Sequence, residues 1–306
     1  MHQLTKTSFP KWALVLGILP AVFLQVTMGL IPSITTFILS FTDISGVKGV
    51  PWKFIGLANY KEFFFQQSSR DLIQVVKNTI IFCVAVTIIQ NVIALLIALS
   101  LNSKLIKGRS FYRSVIFLPV VLGVLVTSLV WLCVLNPMDG PVSKLIGLFG
   151  LNSGFFTSSG SALSWVIFTQ VWMAMGYSMV INLAGLQSIP NELYEAGEID
   201  GTTGTQKFRY ITFPLLWPTV NVNILLAVIG SLQSFQVILF TTGGRNIATQ
   251  TLSARVVYYA FNINAGSGAA AMRQGYGATW AMILFIFILT ATLIYQRAMK
   301  RRDELT

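Results

Sequence analysis

Few side chains in these 306 residues can do acid–base, nucleophilic or metal chemistry. His2 is the only histidine, which rules out imidazole catalysis and a histidine-rich metal site. Cys83 and Cys133 each sit in a long apolar run. A thiol there behaves as a small buried hydrophobe, so neither a disulfide nor a redox role is expected. A phosphate-cradling loop reads Gly-x-x-x-x-Gly-Lys-Ser/Thr, and no Gly-Lys pair occurs in the chain. What remains is a group of acids. Four of the chain's ten, Glu192, Glu195, Glu198 and Asp200, fall within residues 188–201. Their chemistry is ion pairing, and Glu195 and Glu198 can meet basic groups on another protein.

The elements that must position this acidic stretch are set by composition. The chain is 54% hydrophobic and 10% charged, against about 25% charged in an average globular protein. Its mean hydropathy is +0.71. A water-soluble domain could not hide that much apolar surface. A spanning helix needs roughly 20 mostly apolar residues to cross a core of about 30 Å. Six stretches qualify: 12–41, 78–101, 114–135, 163–186, 214–240 and 278–296, and none contains Asp, Glu, Lys or Arg. The expected fold class is therefore all-α integral membrane, with six transmembrane helices. Pro20 and Pro32 kink the first stretch or mark its end. A cleaved signal peptide is the rival reading of that stretch; its apolar run is too long for a signal core, so a retained helix is expected.

The net charge is +11. The basic residues lie in short segments between apolar stretches, a membrane pattern and not a nucleic-acid one. Six spans put both termini on one side. Segments 1–11, 102–113, 187–213 and 297–306 carry 12 of the 21 Lys and Arg in fewer residues than the opposite segments use for 9. Lys104, Lys107, Arg109 and Arg113 stand in one short loop without an acid, and the tail adds Arg297, Lys300, Arg301 and Arg302. Both termini are predicted cytoplasmic. The string Arg302-Asp303-Glu304-Leu305 is not terminal, because Thr306 comes after it, and is read as chance. With no acid at membrane depth, proton coupling is disfavoured, although backbone carbonyls can bind sodium. Uphill transport must then draw its energy from contact with another protein.

Residues 188–201 suit that contact. Pro190 and Asn191 suit the opening of a helix, acids its first turns, and Gly201 its end. Leu193, Ala196, Gly197 and Asp200 fall on one helical face, where small Ala196 and Gly197 let another protein approach the backbone. On composition alone a solvated acidic loop is the better reading. The spacing does more. Glu195-Ala196-Gly197 is followed three residues on by Gly201, and nine further on by Ile211-Thr212-Phe213-Pro214. This resembles the coupling-loop signature of binding-protein-dependent ABC importers: Glu-Ala-Ala, three residues, Gly, nine residues, Ile-x-Leu-Pro. Gly197 stands for the second Ala and Phe213 for Leu; Gly197 weakens the helix by up to about 1 kcal/mol.

The resemblance covers nearly the whole chain. Gly56-Leu57-Ala58-Asn59-Tyr60, Asn78-Thr79, Gly108-Arg109 with Arg113, Leu118-Pro119, Asn136-Pro137, Thr242-Gly243-Gly244 and Gly275-Tyr276-Gly277-Ala278 are similar, in order, to elements of maltose/glycerol-phosphate-type carbohydrate permeases. The chain looks like the first of two permease subunits. The resemblance implies a first helix and outer segment over 1–72, a MetI-like permease core over 73–300 with its coupling loop at 187–213, and a cytoplasmic tail at 301–306. It implies a second homologous permease chain, two ATPase subunits that bind ATP and Mg, an extracellular solute-binding protein, and a mono- or oligosaccharide crossing a bacterial or archaeal cytoplasmic membrane. Glu195, Ala196, Gly197, Asp200 and Gly201 inherit the coupling role. No cofactor is expected in the chain, and no enzymatic site. The competing reading is a stand-alone secondary carrier or channel, which leaves the loop spacing unexplained; a membrane-embedded enzyme lacks catalytic side chains.

A sugar needs hydrogen-bond partners and aromatic faces without charge. Gln170, Ala174 and Tyr177 share one helical face, with Trp172 and Asn182 near in sequence; Asn223, Ala227, Gly230, Ser231 and Ser234 share another. Gln170, Tyr177, Ser231 and Ser234 are the pathway candidates. Helix-to-helix packing uses the same small and hydroxyl residues, so both readings stand. Trp131 and Trp165 are read as interface anchors. Outer segments 42–77, with Phe63-Phe64-Phe65 folded onto the membrane surface, and 241–277 are the expected docking surface for the binding protein. The absence of buried basic residues disfavours a phosphorylated substrate.

Overall fold

Long apolar stretches with few breakers fold as helices, and in this computed structural model the described residues, 11–66, 69–103, 106–150, 154–244, 246–261 and 272–303, are helical with no strand beyond one isolated bridge, Thr42–Phe54. His2, Lys104, residues 262–271 and the last residues of the 301–306 tail lie outside them. The first span runs α1 (Lys11–Leu24), a π turn (Gln25–Leu30) and α2 (Ile31–Leu39). Then come α3 (Ala58–Lys61), α4 (Ser69–Asn102), α5 (Arg109–Leu122), α6 (Val124–Val134), α7 (Pro141–Gly147) and α8 (Ala162–Gln187). The chain continues through α9 (Asn191–Ile199), α10 (Gly204–Lys207), a π turn (Phe208–Thr212), α11 (Phe213–Gln233), α12 (Gln236–Thr242), α13 (Leu252–Phe261) and α14 (Gln274–Asp303).

Five of these runs are long and apolar enough to cross a membrane unbroken: Leu16–Leu39, Arg70–Asn102, Ala162–Gln187, Gly204–Gln233 and Gln274–Lys300. The sixth expected span is the pair α5–α6, bent by 101°. The bend falls at Gly123, with φ +74° and ψ 156°, a region open essentially to glycine alone. The fifth expected span also differs. It stops at Gln233, Ser234 is extended, and α12 begins at Gln236. Backbone breaks at membrane depth survive where protein groups satisfy them. Here Ser253 Oγ donates to the Ser234 carbonyl at 3.0 Å, and Ser234 Oγ donates to Gln170 Oε1 at 2.9 Å.

α4 and α8 form the centre. Ala94 and Ala98 are fully buried and let α4 approach α8 closely, packing with Leu101, Met179, Leu183, Leu186 and Leu216. A second cluster joins Phe82 and Val86 to Phe155, Val166 and Ile238; a third joins Phe63, Val75 and Leu252 to Tyr276 and Trp280. Phe63 therefore points inward, and only Phe64 and Phe65 of that run are exposed. Trp131 and Trp165 are not isolated anchors either. Both rings meet Phe168 edge-on, at 4.7 and 5.7 Å. Cys133, expected to be buried, is exposed on α6.

The short polar motifs between the spans and near their ends are structural ties. Asn59 Nδ2 donates to the carbonyls of Ser40 and Thr42 at 3.0 and 2.8 Å, capping the end of the first span, and Tyr60 Oη reaches Ser40 Oγ at 2.8 Å. Asn78 Nδ2 donates to the carbonyls of Ile247 and Gln250, and Thr79 Oγ1 accepts from Leu252 N. Arg273 forks onto Glu62 with two bonds of 2.6 Å; hydrogen bonding to Glu62 holds the guanidinium pKa above its ordinary value. Asn59→Ala leaves the Thr42 carbonyl unpaired and the Ser40 carbonyl with its bond from Thr279 Oγ1 alone, and is expected to cost about 1–3 kcal/mol, read as a lower thermal midpoint in detergent. An unchanged midpoint would contradict the capping role.

Candidate functional site

α9 is held as a short arm off the end of α8. Gly201, at φ +70°, ends it: Thr202 N donates to the Gly197 carbonyl at 2.9 Å and Gly201 N to the Glu198 carbonyl at 3.1 Å. This paired closure satisfies carbonyls that the helix end would otherwise leave open. Thr202 Oγ1 adds a second bond to the Gly197 carbonyl at 2.6 Å. The arm is also tied to the chain on its C-terminal side. Tyr194 Oη meets Thr212 Oγ1 at 3.1 Å, and Lys207 Nζ pairs with Glu198 at 2.7 Å. Thr203 and Gln206 cap α10 reciprocally. Helix α10, its π turn and α11 run on as one span from Gly204 to Gln233.

Two expectations about this arm are corrected. Gly197 does not face outward. It is buried, and a side chain there would meet Thr202 Oγ1 at 3.0 Å and Ile211 Cδ1 at 3.1 Å, so its smallness serves the arm's own closure. Glu198 is engaged by Lys207, although such exposed pairs contribute little energy. The exposed face is instead Leu193, Ala196, Ile199 and Asp200, flanked by Glu192 and Glu195. Ile199 was missed by sequence reasoning. It is 88% exposed at the tip of the arm; the available signal was a lone isoleucine among acids.

The second feature is a polar seam between α4, α8 and α11. Gln90 Nε2 donates to Ser178 Oγ at 2.8 Å, and Asn223 Nδ2 donates to Asn182 Oδ1 at 2.9 Å and to the Ser178 carbonyl at 3.2 Å. The contribution of α4 was not foreseen, though Gln90-Asn91 is an amide pair inside an apolar run. Of the four pathway candidates, Gln170 and Ser234 are brought together by their bond. Ser231 is buried and donates to the carbonyl of Val228 in its own helix. Tyr177 stands apart, 49% exposed on α8. The premise that no basic residue is buried also fails. Arg255 is buried on α13, with Nη1 3.4 Å from Tyr259 Oη and its guanidinium 5.7 and 5.9 Å from the centres of the Tyr258 and Tyr259 rings.

Residues 90–302 match the binding-protein-dependent transport system inner membrane component family. The chain belongs to that family. Its relatives include the multiple sugar-binding transport system permease protein MsmF of Streptococcus mutans, 30% identical and aligned over 95% of this chain and 96% of that protein. The sn-glycerol-3-phosphate transport system permease protein UgpA of Agrobacterium fabrum is 30% identical over 83% of each. Among solved structures, a bacterial alginate ABC transporter in complex with alginate pentasaccharide-bound periplasmic protein contains a chain of the same fold, with TM-score 0.80, 21% identity, and coverage of 95% of this chain and 94% of that one. This inner membrane component is thus a multi-pass transport subunit with a MetI-like permease core, and a stand-alone carrier finds no support. Buried Arg255 removes the reason for disfavouring a phosphorylated substrate.

Proposed function

We propose that this chain is one of two permease subunits of an ATP-driven importer for a carbohydrate, forming half of the pathway in a bacterial or archaeal cytoplasmic membrane. The observation that carries the reading is mechanical. α9 is bonded to the foot of α11, and the far end of α11 breaks at Ser234, where it meets Gln170. A push on the arm is therefore delivered to the candidate sugar contacts as a rigid displacement of a packed helix. Two ATPase subunits hold ATP and Mg and receive the arm from the cytoplasm, where both termini of this chain also lie. Ala196, Ile199 and Asp200 dock, Glu195 pairs with a basic group, and Gly197 and Gly201 keep the arm's shape. A second permease chain faces this one, and an extracellular binding protein delivers the sugar. Exposed Tyr177 suits a path formed between two chains, since its wall is open surface on either chain alone.

The test is co-purification with the ATPase and second permease subunits, followed by ATP-dependent uptake in proteoliposomes supplied with binding protein. Solute accumulation by this chain alone would overturn the proposal. At the path, Ser234→Ala removes one hydrogen bond at the helix break, and Gln170→Leu removes its acceptor. Each is expected to reduce sugar uptake about fivefold, for a bond of about 1 kcal/mol, with the ATPase activity of the assembled complex retained. Uptake unchanged in both variants would remove these residues from the path.

A further inference from the structure

The turn between α4 and α5 carries a binding feature that transport does not use. Leu101, Leu186 and Leu216 share one buried cluster, so this turn lies at the same end of the bundle as the α9 arm. A groove of about 510 Å³ opens there between α4 and α5, walled by Leu96, Leu101, Ile106 and Ile116, with Lys107 and Tyr112 among its lining residues. Lys107, Arg109 and Arg113 fall within seven residues of sequence, and residues 102–113 contain no acid. None of the three forms an ion pair among the described residues, and Arg113 Nε is buried without a hydrogen-bond partner. Of the acids on the α9 arm, Glu198 is bound to Lys207.

We propose that this groove holds an anionic phospholipid of the cytoplasmic leaflet, one acyl chain lying between α4 and α5 and the phosphate held by Lys107, Arg109 and Arg113. The leaflet assignment rests on the cytoplasmic placement of the α9 arm; the lipid selectivity does not. The chemistry is two-part. A slot lined mostly by aliphatic side chains suits a hydrocarbon chain better than a soluble anion. Lys107 on the lining, with Arg109 and Arg113 beside it in sequence and no acid over residues 102–113, favours a negative headgroup, since a zwitterionic one brings its own cation against the same charges. A long basic side chain can reach the headgroup layer while its stem covers apolar surface. Because these charges face the water boundary, binding should weaken as salt rises.

The experiment uses the assembled transporter in nanodiscs of mixed phosphatidylglycerol and phosphatidylcholine. Lipid retained on the complex is counted by native mass spectrometry after delipidation. Enrichment of phosphatidylglycerol over phosphatidylcholine is expected. The triple variant Lys107→Gln, Arg109→Gln, Arg113→Gln should lose it by roughly fivefold per charge, on the order of a hundredfold in all. Because removal of loop charge can disturb insertion, a second variant keeps every base: Ser100→Trp fills the groove and should displace the lipid without altering the loop. Inorganic phosphate and glycerol phosphate should not compete. Equal retention of both lipids by the parent, unchanged selectivity in both variants, or displacement by inorganic phosphate would each overturn the proposal. ATP-driven uptake is scored separately, so a failure of lipid binding is distinguishable from a failure of the transport assignment.

Discussion

Gly201→Val is expected to remove most ATP-dependent uptake while leaving the chain inserted in the membrane. The reason is conformational. Gly201 sits at φ +70°, and no atom lies within 4 Å of where its Cβ would be, so nothing is crowded. An L-residue in that region costs about 1–2 kcal/mol, and a β-branched one is a stronger outlier. The cheapest escape is to unwind the turn, which gives up the bonds from Gly201 N and Thr202 N that close the helix. The arm then no longer presents Ile199 and Asp200 at a fixed angle. Gly201→Asn should recover much of the loss, because asparagine tolerates this conformation. Ile199→Asp attacks the same step from outside, placing a charge at the exposed position proposed as the apolar anchor, at an expected cost of about 2 kcal/mol or more. ATPase retention during purification, and sugar moved per ATP, are the measurements. If Gly201→Val transports with normal stoichiometry, the shape of the arm does not matter for coupling.

Gly275→Val should instead prevent assembly of the fold. Its Cβ would lie 2.0 Å from the Thr42 carbonyl oxygen, 3.0 Å from the Thr42 carbonyl carbon and 3.2 Å from the Leu39 oxygen. All three are backbone atoms, so no side chain can swing aside. The start of α14 must pull away from the end of the first span. That loses the bond from Gly275 N to the Ile44 carbonyl at 2.9 Å and the one from buried Thr279 Oγ1 to the Ser40 carbonyl at 3.1 Å. A loss above about 4 kcal/mol is expected, in the exceptional class for one substitution, seen as disappearance of the monodisperse peak in detergent chromatography. Even Gly275→Ala should show most of it. Gly230→Ala is the contrast: it lies within α11 with open space around it, and should be neutral or stabilising by up to about 1 kcal/mol. Equal behaviour of the two alanine variants would show that the close approach at Gly275 is not required.

The relation between sequence and fold reflects the range of the forces involved. Apolar length against bilayer thickness is a one-dimensional property. The span Ala162–Gln187 begins and ends within a residue of where composition places it and Gln274–Lys300 within four, while Arg70–Asn102 starts eight residues early; the number reaches six only when the bent pair α5–α6 counts as one span. The acidic arm was readable for a similar reason: Gly201 signals a left-handed closure through its own backbone preference, and the spacing to Pro214 is counted along the chain. Even the motifs near Asn59 and Asn78 were visible as patterns, although their work as caps on distant carbonyls was not.

What pattern could not decide is everything set by a neighbour far away in sequence. Nothing local distinguishes Gly123, where a span turns by 101°, from Gly230, where one runs straight. The helix break at Ser234 is accommodated by Ser253, which bonds its freed carbonyl, while Gln170 takes the Ser234 hydroxyl. Gly197 looked like an opening for a partner and is filled by Thr202 and Ile211 of the same chain; Glu198 looked free and is bonded to Lys207. The outer segment over 241–277 includes α13, which buries Arg255. Hydrophobicity tells a residue how deep to sit, since water is excluded from the bilayer wherever the chain crosses it. Which side chain it then touches depends on how the helices pack against one another, and that contact is made only once the bundle has closed.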